Sequence, residues 1–153
     1  MSDEIESKIT DEHRAMVGRE MESYTVRVRE EDARRVRELF GDSDARWAEG
    51  TGMAPPYVIG VLQGGPRRGA GPSILPGGIM TQKEWRFTRP FRIGEELRAV
   101  PMVVDIRERL SGSYGYSVLV TSATDYYDAE GAHVAAALPS VTQFDPAAAR
   151  RRE

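Results

Sequence analysis

The chain contains no cysteine, only two histidines (His13 and His133) and only two lysines (Lys8 and Lys83). Without cysteine, disulfides, thiolate catalysis and Cys-based zinc sites are excluded. Two histidines far apart in sequence make a His-rich metal site improbable, so no metal and no cofactor is expected. No apolar run approaches the roughly 20 residues that span a bilayer. The acidic, polar start, Met1 to Lys8, resembles neither a secretory nor a transit peptide. The expectation is a cytoplasmic protein without membrane contact. The formal net charge of −3 gives no electrostatic case for nucleic acid, and the many arginines are scattered among acids.

What is present suits one domain. The length is 153 residues and the apolar fraction 40%, enough for one core and too little for two. Met1 to Ser7 reads as disordered. Ile9 to Glu20 reads as a short helix capped by Thr10 or Asp11, with Gly18 near its end. Tyr24 to Val28 alternates with β-branched residues and reads as a strand. Glu30 to Phe40 reads as a helix: acids lead, arginines follow, and Ala33, Val36, Leu39 and Phe40 form an apolar stripe that Gly41 ends.

Asp42 to Met53 is polar and Gly-rich, hence a loop. Ala54-Pro55-Pro56 suits the opening of a helix. Tyr57 to Leu62 is apolar nearly throughout, and periodicity leaves a buried strand and a buried short helix both open. Gly64 to Gly78 is a long loop dense in Gly and Pro; loops of that length are functional or disordered. The remainder reads as β-structure. Strands are expected at Glu84–Thr88, Glu96–Leu110, Tyr114–Tyr127 and Ala132–Phe144, joined by short turns at Pro90–Glu95, Ser111–Ser113 and Asp128–Gly131. Pro101 within the second of these strands suggests a bulge or an edge position. A curved antiparallel sheet of this kind would bury the Tyr57–Leu62 segment all round. The expected organisation is an N-terminal extension (1–20), one folded domain (21–146) and a charged, frayed tail (147–153).

Ordered fragments of this sequence resemble the MaoC-like dehydratase/hydratase family, in its N-terminal-type (FAS1-like dehydratase) variety. They are Tyr24-Thr25-Val26, then Gly41-Asp42 after the helix, then Ala54-Pro55-Pro56. Further on come Arg89-Pro90-Phe91-Arg92-Ile93-Gly94-Glu95, Val104 to Arg109, and Thr124 to Gly131. The resemblance implies a single α+β hot-dog fold, a curved antiparallel sheet wrapped around a central helix. It also implies hydration of enoyl thioesters, or dehydration of 3-hydroxyacyl thioesters, on CoA or an acyl-carrier protein.

In that family a Gly-Asp-x-Asn-Pro-x-His motif holds a water between Asp and His. The matching stretch here is Gly41-Asp42-Ser43-Asp44-Ala45-Arg46-Trp47. Asp42 matches, Asp44 stands for Asn, Ala45 for Pro, and Trp47 for the catalytic His. An indole does not exchange a proton at neutral pH. Family members also open the central helix with His-Gly, whose glycine N–H stabilises the thioester oxyanion. Pro55-Pro56 stands there, and proline has no N–H to donate. The Trp47–Ala54 loop is short against the family pattern, which implies a groove open to a bulky acyl group unless Trp47 or Trp85 plugs it.

The candidate residues follow. Asp42 is the catalytic candidate, weighed against a loop aspartate that satisfies backbone N–H groups; Asp44 is its lesser companion. Pro55, Pro56, Tyr57, Trp47 and Trp85 would line the acyl site, although a Trp is more often core or interface. Arg67 and Arg68 would meet the phosphates of CoA or a carrier's prosthetic group, or else cap a solvated loop tip. His133 reads as a surface or interface residue and His13 as solvated. The family resemblance implies a partner: a second MaoC-like hot-dog subunit in a heterodimer or heterotetramer, or a second copy in a homodimer. The first expectation is a non-catalytic subunit of a heteromeric hydro-lyase whose partner supplies the Asp/His pair. The alternatives are a self-sufficient homodimeric enzyme using Asp42 or Asp44, and a non-catalytic thioester-binding or scaffold protein.

Overall fold

A computed structural model describes residues 5–62, 64, 71–110 and 113–150. The chain order is α1 (Asp11–Ala15), β1 (Tyr24–Arg27), α2 (Glu30–Phe40), a 3-10 turn (Ala45–Trp47) and β2 (Met53–Ala54). A 3-10 helix (Pro56–Val61) follows, then β3 (Gly77–Phe87), β4 (Phe91–Arg92), β5 (Glu96–Leu110), β6 (Tyr116–Tyr127), β7 (His133–Phe144) and α3 (Pro146–Arg150). Five strands form one antiparallel sheet in the order β1-β5-β6-β7-β3, and β2 pairs with β4 in a small ribbon. This curled sheet around a short central helix is the hot-dog fold. Among the described residues no helix is long and apolar enough to cross a membrane.

The three long strands form because alternation and short turns act together. β5 pairs with β6 from Arg98↔Tyr127 to Leu110↔Tyr116, and β6 pairs with β7 from Ser117↔Phe144 to Tyr127↔His133. Pro101 lies in β5, a strand flanked on both sides, and not at an edge. Its carbonyl accepts from Met21 N–H, beyond the end of β1. Backbone N–H and C=O of one strand residue point to the same side in an antiparallel pair. The missing N–H therefore faces irregular chain and costs no ladder bond. The register shift falls at Val104, between Val103 and Asp105.

The main core gathers on the concave face. Val26, Val28, Ala33, Val36, Val58, Ile59, Phe91, Leu97 and Tyr126 are buried there together. α2 ends at Gly41, which takes φ 60°, a left-handed conformation suited to glycine. Of its expected stripe, Ala33 and Val36 are buried, whereas Leu39 and Phe40 are 65% and 68% exposed. The helix meets the core over its first two turns and stands clear of it at its end.

Other expectations are corrected. Pro55 caps and Pro56 opens a helix, but it is a 3-10 helix of six residues. It is not enclosed all round: Val58 and Ile59 are buried, Tyr57 and Val61 half-buried and Gly60 exposed. The Ile9–Glu20 helix shrinks to Asp11–Ala15, because Val17 and Glu20 bridge to Val103 and Met102 on β5. Ser7 is not loose, since its hydroxyl bonds the Glu108 carboxylate, and Lys8 N–H donates to Tyr116 Oη at 2.8 Å. β3 starts seven residues before the expected strand, at Gly77, and the tail holds a helical turn over Pro146–Arg150. Met1–Glu4, Ser111–Gly112 and Arg151–Glu153 lie outside the described residues.

Candidate functional site

The site is built where α2 stops. Gly41 N–H donates to Glu38 O at 3.3 Å and Asp42 N–H to Arg37 O at 2.9 Å, which turns the chain sharply out of the helix. That turn carries Asp42 to the start of the 3-10 helix. Three donors converge on its carboxylate. Asp44 N–H reaches Oδ1 at 2.9 Å, Trp47 Nε1–H reaches Oδ2 at 2.9 Å, and the Tyr57 hydroxyl also donates to Oδ2. Together these hold the Asp42 carboxyl below its usual range, Tyr57 contributing most, then Asp44 N–H, then Trp47. Burial, aided by the adjacent carboxylate, pushes the Tyr57 phenol up to about 12.

Trp47 is held from every side. Its carbonyl accepts from Arg37 Nη1 at 2.9 Å, the Arg46 guanidinium lies 4.3 Å over its ring, and only 6% of the residue is exposed. The indole is nearly fully buried, so Trp47 presents little surface to an acyl groove. Asp44 acts as a cap: its Oδ1 accepts from Arg46 N–H at 2.9 Å, and the carboxylate pairs with Arg46 Nη2 at 2.7 Å. That pairing holds the Asp44 carboxyl below its usual range as well. Both aspartates are thus poor proton acceptors near neutral pH.

The expected site residues fall into three groups. Asp42, Trp47 and Tyr57 meet directly, and Pro55 and Pro56 precede Tyr57, leaving Tyr57 the first backbone N–H of the helix. Trp85 lies apart, on the other flank of the 3-10 helix, where a Cβ added to Gly60 would stand 3.7 Å from its ring. Lys83 Nζ sits 4.4 Å over that indole. Arg67 and Arg68 lie outside the described residues. His13 completes a capping box with Thr10, its N–H donating to Thr10 Oγ1 at 3.2 Å.

Sequence reasoning missed several contacts. Tyr57 points at Asp42, and Phe40 packs edge-on against Tyr57 at 5.2 Å between ring centroids. The apolar ending of α2 was the available signal. His133 Nε2 pairs with Asp125 Oδ1 at 2.7 Å on the outer face of the sheet. Arg89 joins two fragments read separately in the sequence: it pairs with Glu95 and, at 3.4 Å, with Asp128 Oδ2. This ties the turn after β3 to the β6–β7 turn, where Asp128 Oδ1 also accepts from Ala132 N–H at 2.9 Å. Among the described residues no cluster of His, Cys, Asp and Glu is arranged to hold a metal ion.

No family model matches the chain, and no curated protein matches it. Solved structures do. The ChsH1-ChsH2 complex from Mycobacterium tuberculosis aligns with a TM-score of 0.64 at 19% identity, over 84% of this chain and 90% of that one. The R-hydratase PhaJ1 from Pseudomonas aeruginosa aligns at 0.55 and 20% identity, over 84% and 82%. A MaoC-like dehydratase from Rhodospirillum rubrum aligns at 0.52 and 23% identity, over 84% and 92%. The structural neighbours are hot-dog hydratases and MaoC-like dehydratases, and at these identities the likeness establishes the hot-dog fold.

Proposed function

We propose that this chain is a non-catalytic MaoC-like subunit, of the N-terminal type, in a heteromeric R-specific enoyl-thioester hydratase or 3-hydroxyacyl-thioester dehydratase. One observation carries the reading. At the place of the family's Asp/His pair, Trp47 donates an indole N–H to Asp42, and Tyr57 and Asp44 occupy the same carboxylate. The pair's spacing is kept while its proton chemistry is lost. Water addition needs a group that takes a proton and returns one, and neither Asp42 nor Trp47 can do both.

The chain's role is then architectural. The half-buried Pro56 and Tyr57 stand at one flank of the 3-10 helix towards the acyl site and Trp85 at the other, while the fully buried Pro55 and the Asp42 carboxylate brace the start of that helix. Arg67 and Arg68 meet the phosphates of CoA or of a carrier's prosthetic group. The partner joins along β3, an outer strand of the sheet that exposes Ile79, Met80 and Phe87. An exposed apolar edge strand is a liability unless something pairs with it. A neighbour of the same fold, the ChsH1-ChsH2 complex, was solved as two different chains together.

Native mass spectrometry of the tagged chain drawn from its own host tests the assignment. Arrival with a second hot-dog subunit bearing an intact Gly-Asp-x-Asn-Pro-x-His supports it, and hydration of crotonyl-CoA by the complex alone completes it. Arrival solely as a homodimer overturns it.

A further inference from the structure

The N-terminal extension is fastened to the sheet at two separate places. Gly18 N–H donates to Val103 O at 2.8 Å and Met21 N–H to Pro101 O at 2.9 Å, so this stretch runs along the outer edge of β5 beyond the end of β1. The second place lies at the start of the segment that precedes it, residues 5–16. There the Ser7 hydroxyl donates to the Glu108 carboxylate, and Lys8 N–H donates to Tyr116 Oη at 2.8 Å. The Tyr116 hydroxyl in turn donates to Glu108 Oε1 at 2.9 Å. One carboxylate on β5 thus gathers the segment and the neighbouring strand β6.

Between the two places the packing is sparse. Ile9, 7% exposed, is the one buried residue of 5–16. It packs with Val103, Val118 and Val120, a cluster separate from the main core, beside the half-buried Met16. α1 buries no residue, and a helix of five residues does not persist in water by itself. Ordering one residue costs about as much as one hydrogen bond contributes net. Twelve ordered residues are therefore set against one buried aliphatic side chain and two hydrogen bonds to the sheet. Such a segment belongs to the least stable part of a fold, where local opening is frequent. The chain is also free to turn at its far end. Gly18 takes φ 79°, with nothing within 4 Å of where a Cβ would stand. A groove of about 330 Å³ borders it, lined by Met16, Arg19, Glu20, Met21 and Glu22.

We propose that residues 5–16 form a hinged strap, latched at Glu108 and pinned by Ile9, that opens about Gly18 as one unit while the sheet stays folded. Opening uncovers Val103, Val118 and Val120 at one end of the sheet, and closing covers them. The strap and its seat are separate from Asp42, Trp47 and Tyr57, so the proposal stands whether or not the chain serves a hydratase.

Amide hydrogen exchange of the purified full-length chain, read residue by residue by NMR at neutral pH, tests the strap. The amides of Lys8, Arg14 and Met16 are all hydrogen-bonded in the closed state and all lose their partners on opening. After correction for intrinsic rates they should share one opening equilibrium. Their exchange should be about tenfold slower than in an unstructured peptide and at least about a hundredfold faster than that of the β6 amides. Glu108→Ala removes the latch from an exposed position and should raise strap exchange about fivefold, the worth of one hydrogen bond. Ile9→Ala should bring it to the rate of the unstructured peptide, since burial of that side chain is most of what holds the strap. The β6 amides should keep their wild-type rates in both variants, which a residue that merely supports the whole fold would not allow. Strap amides that exchange in step with β6, separate equilibria for Lys8 and Met16, peptide-like exchange already in the wild type, or indifference to either substitution overturns the proposal.

Discussion

The indole of Trp47 donates to the carboxylate of Asp42 at 2.9 Å, Asp42 preceding a capped 3-10 turn and Trp47, five residues on, ending it. With Tyr57 donating to the same oxygen, Asp42 is spent on holding α2 against the central helix. The consequence for activity is direct. If the chain works in the proposed heteromeric complex, Asp42→Asn there should leave kcat and KM for crotonyl-CoA within about twofold, because an asparagine still accepts at its amide oxygen. A loss of a hundredfold or more in kcat, with the complex still assembled, would mean that Asp42 takes part in proton transfer.

The same carboxylate makes stability depend on pH. Asp42 is held below its usual range in the folded chain by Tyr57 first, then Asp44 N–H, then Trp47. A depressed folded value means that the contribution is complete above the unfolded carboxyl range, about pH 4. It is lost as the pH falls through the folded value. Thermal melts between pH 7 and pH 3 should therefore show a shallower acid-side decline for Asp42→Asn than for the wild type, the two curves converging at low pH. Parallel curves would show that Asp42 contributes nothing to the acid limb.

Much of the fold was legible because the long strands satisfy two conditions together, alternation and short turns. β5 occupies Glu96–Leu110 as the pattern predicts, and α2 occupies Glu30–Phe40, ended by Gly41. The early part of β3 was hidden, because Gly77-Gly78 reads as loop and the strand's pairing with β7 is a long-range effect. The N-terminal helix was overread for a similar reason. Val17 and Glu20 suit a helix locally, but bridges to β5 claim them. At the site, Trp47 at the place of the resembled motif's His was visible through that motif's spacing alone. The hydrogen bond from Tyr57 was not, since the tight turn at Gly41 brings together residues fifteen apart.

The Arg89 pairing with Glu95 and Asp128 gives a third prediction. Arg89→Ala leaves two largely covered carboxylates without their shared cation. Since Arg89 is itself about one-third exposed, solvent screens part of the loss. A decrease in Tm on the order of 5 °C is expected, with Arg89→Lys recovering only part of it because ammonium lacks the forked geometry. An unchanged Tm in Arg89→Ala would show that the link between the two turns is inconsequential.

Phe91 tests the core. It is fully buried in β4, beneath Arg89, whose guanidinium lies 5.3 Å over the ring. Phe91→Ala should cost about 3–5 kcal/mol by urea denaturation, from lost burial and the cavity left behind. Much of a small domain's stability is of that size, so the variant should be largely unfolded at 37 °C. A loss under 1 kcal/mol would mean that the ribbon β2–β4 is only loosely joined to the sheet.

The last prediction concerns the outer strand β3. Phe87 is 41% exposed and belongs to the same strand as the exposed Ile79 and Met80. If a second subunit pairs there, Phe87→Lys buries a charge at the join, which costs far more than it does on an open surface. The same substitution in an unpaired strand leaves the ammonium within reach of solvent and should be much milder for folding. Far-ultraviolet circular dichroism should therefore be preserved in Phe87→Lys, while light scattering after size exclusion should report the mass of a single 17.0 kDa chain. Co-purified with the proposed second subunit, the wild type should run as an assembly that carries that subunit's mass as well. Retention of the assembled mass by a folded Phe87→Lys would move the contact away from this edge. The exposed end of α2, Leu39 together with Phe40, which packs against Tyr57, would then be the next surface to substitute.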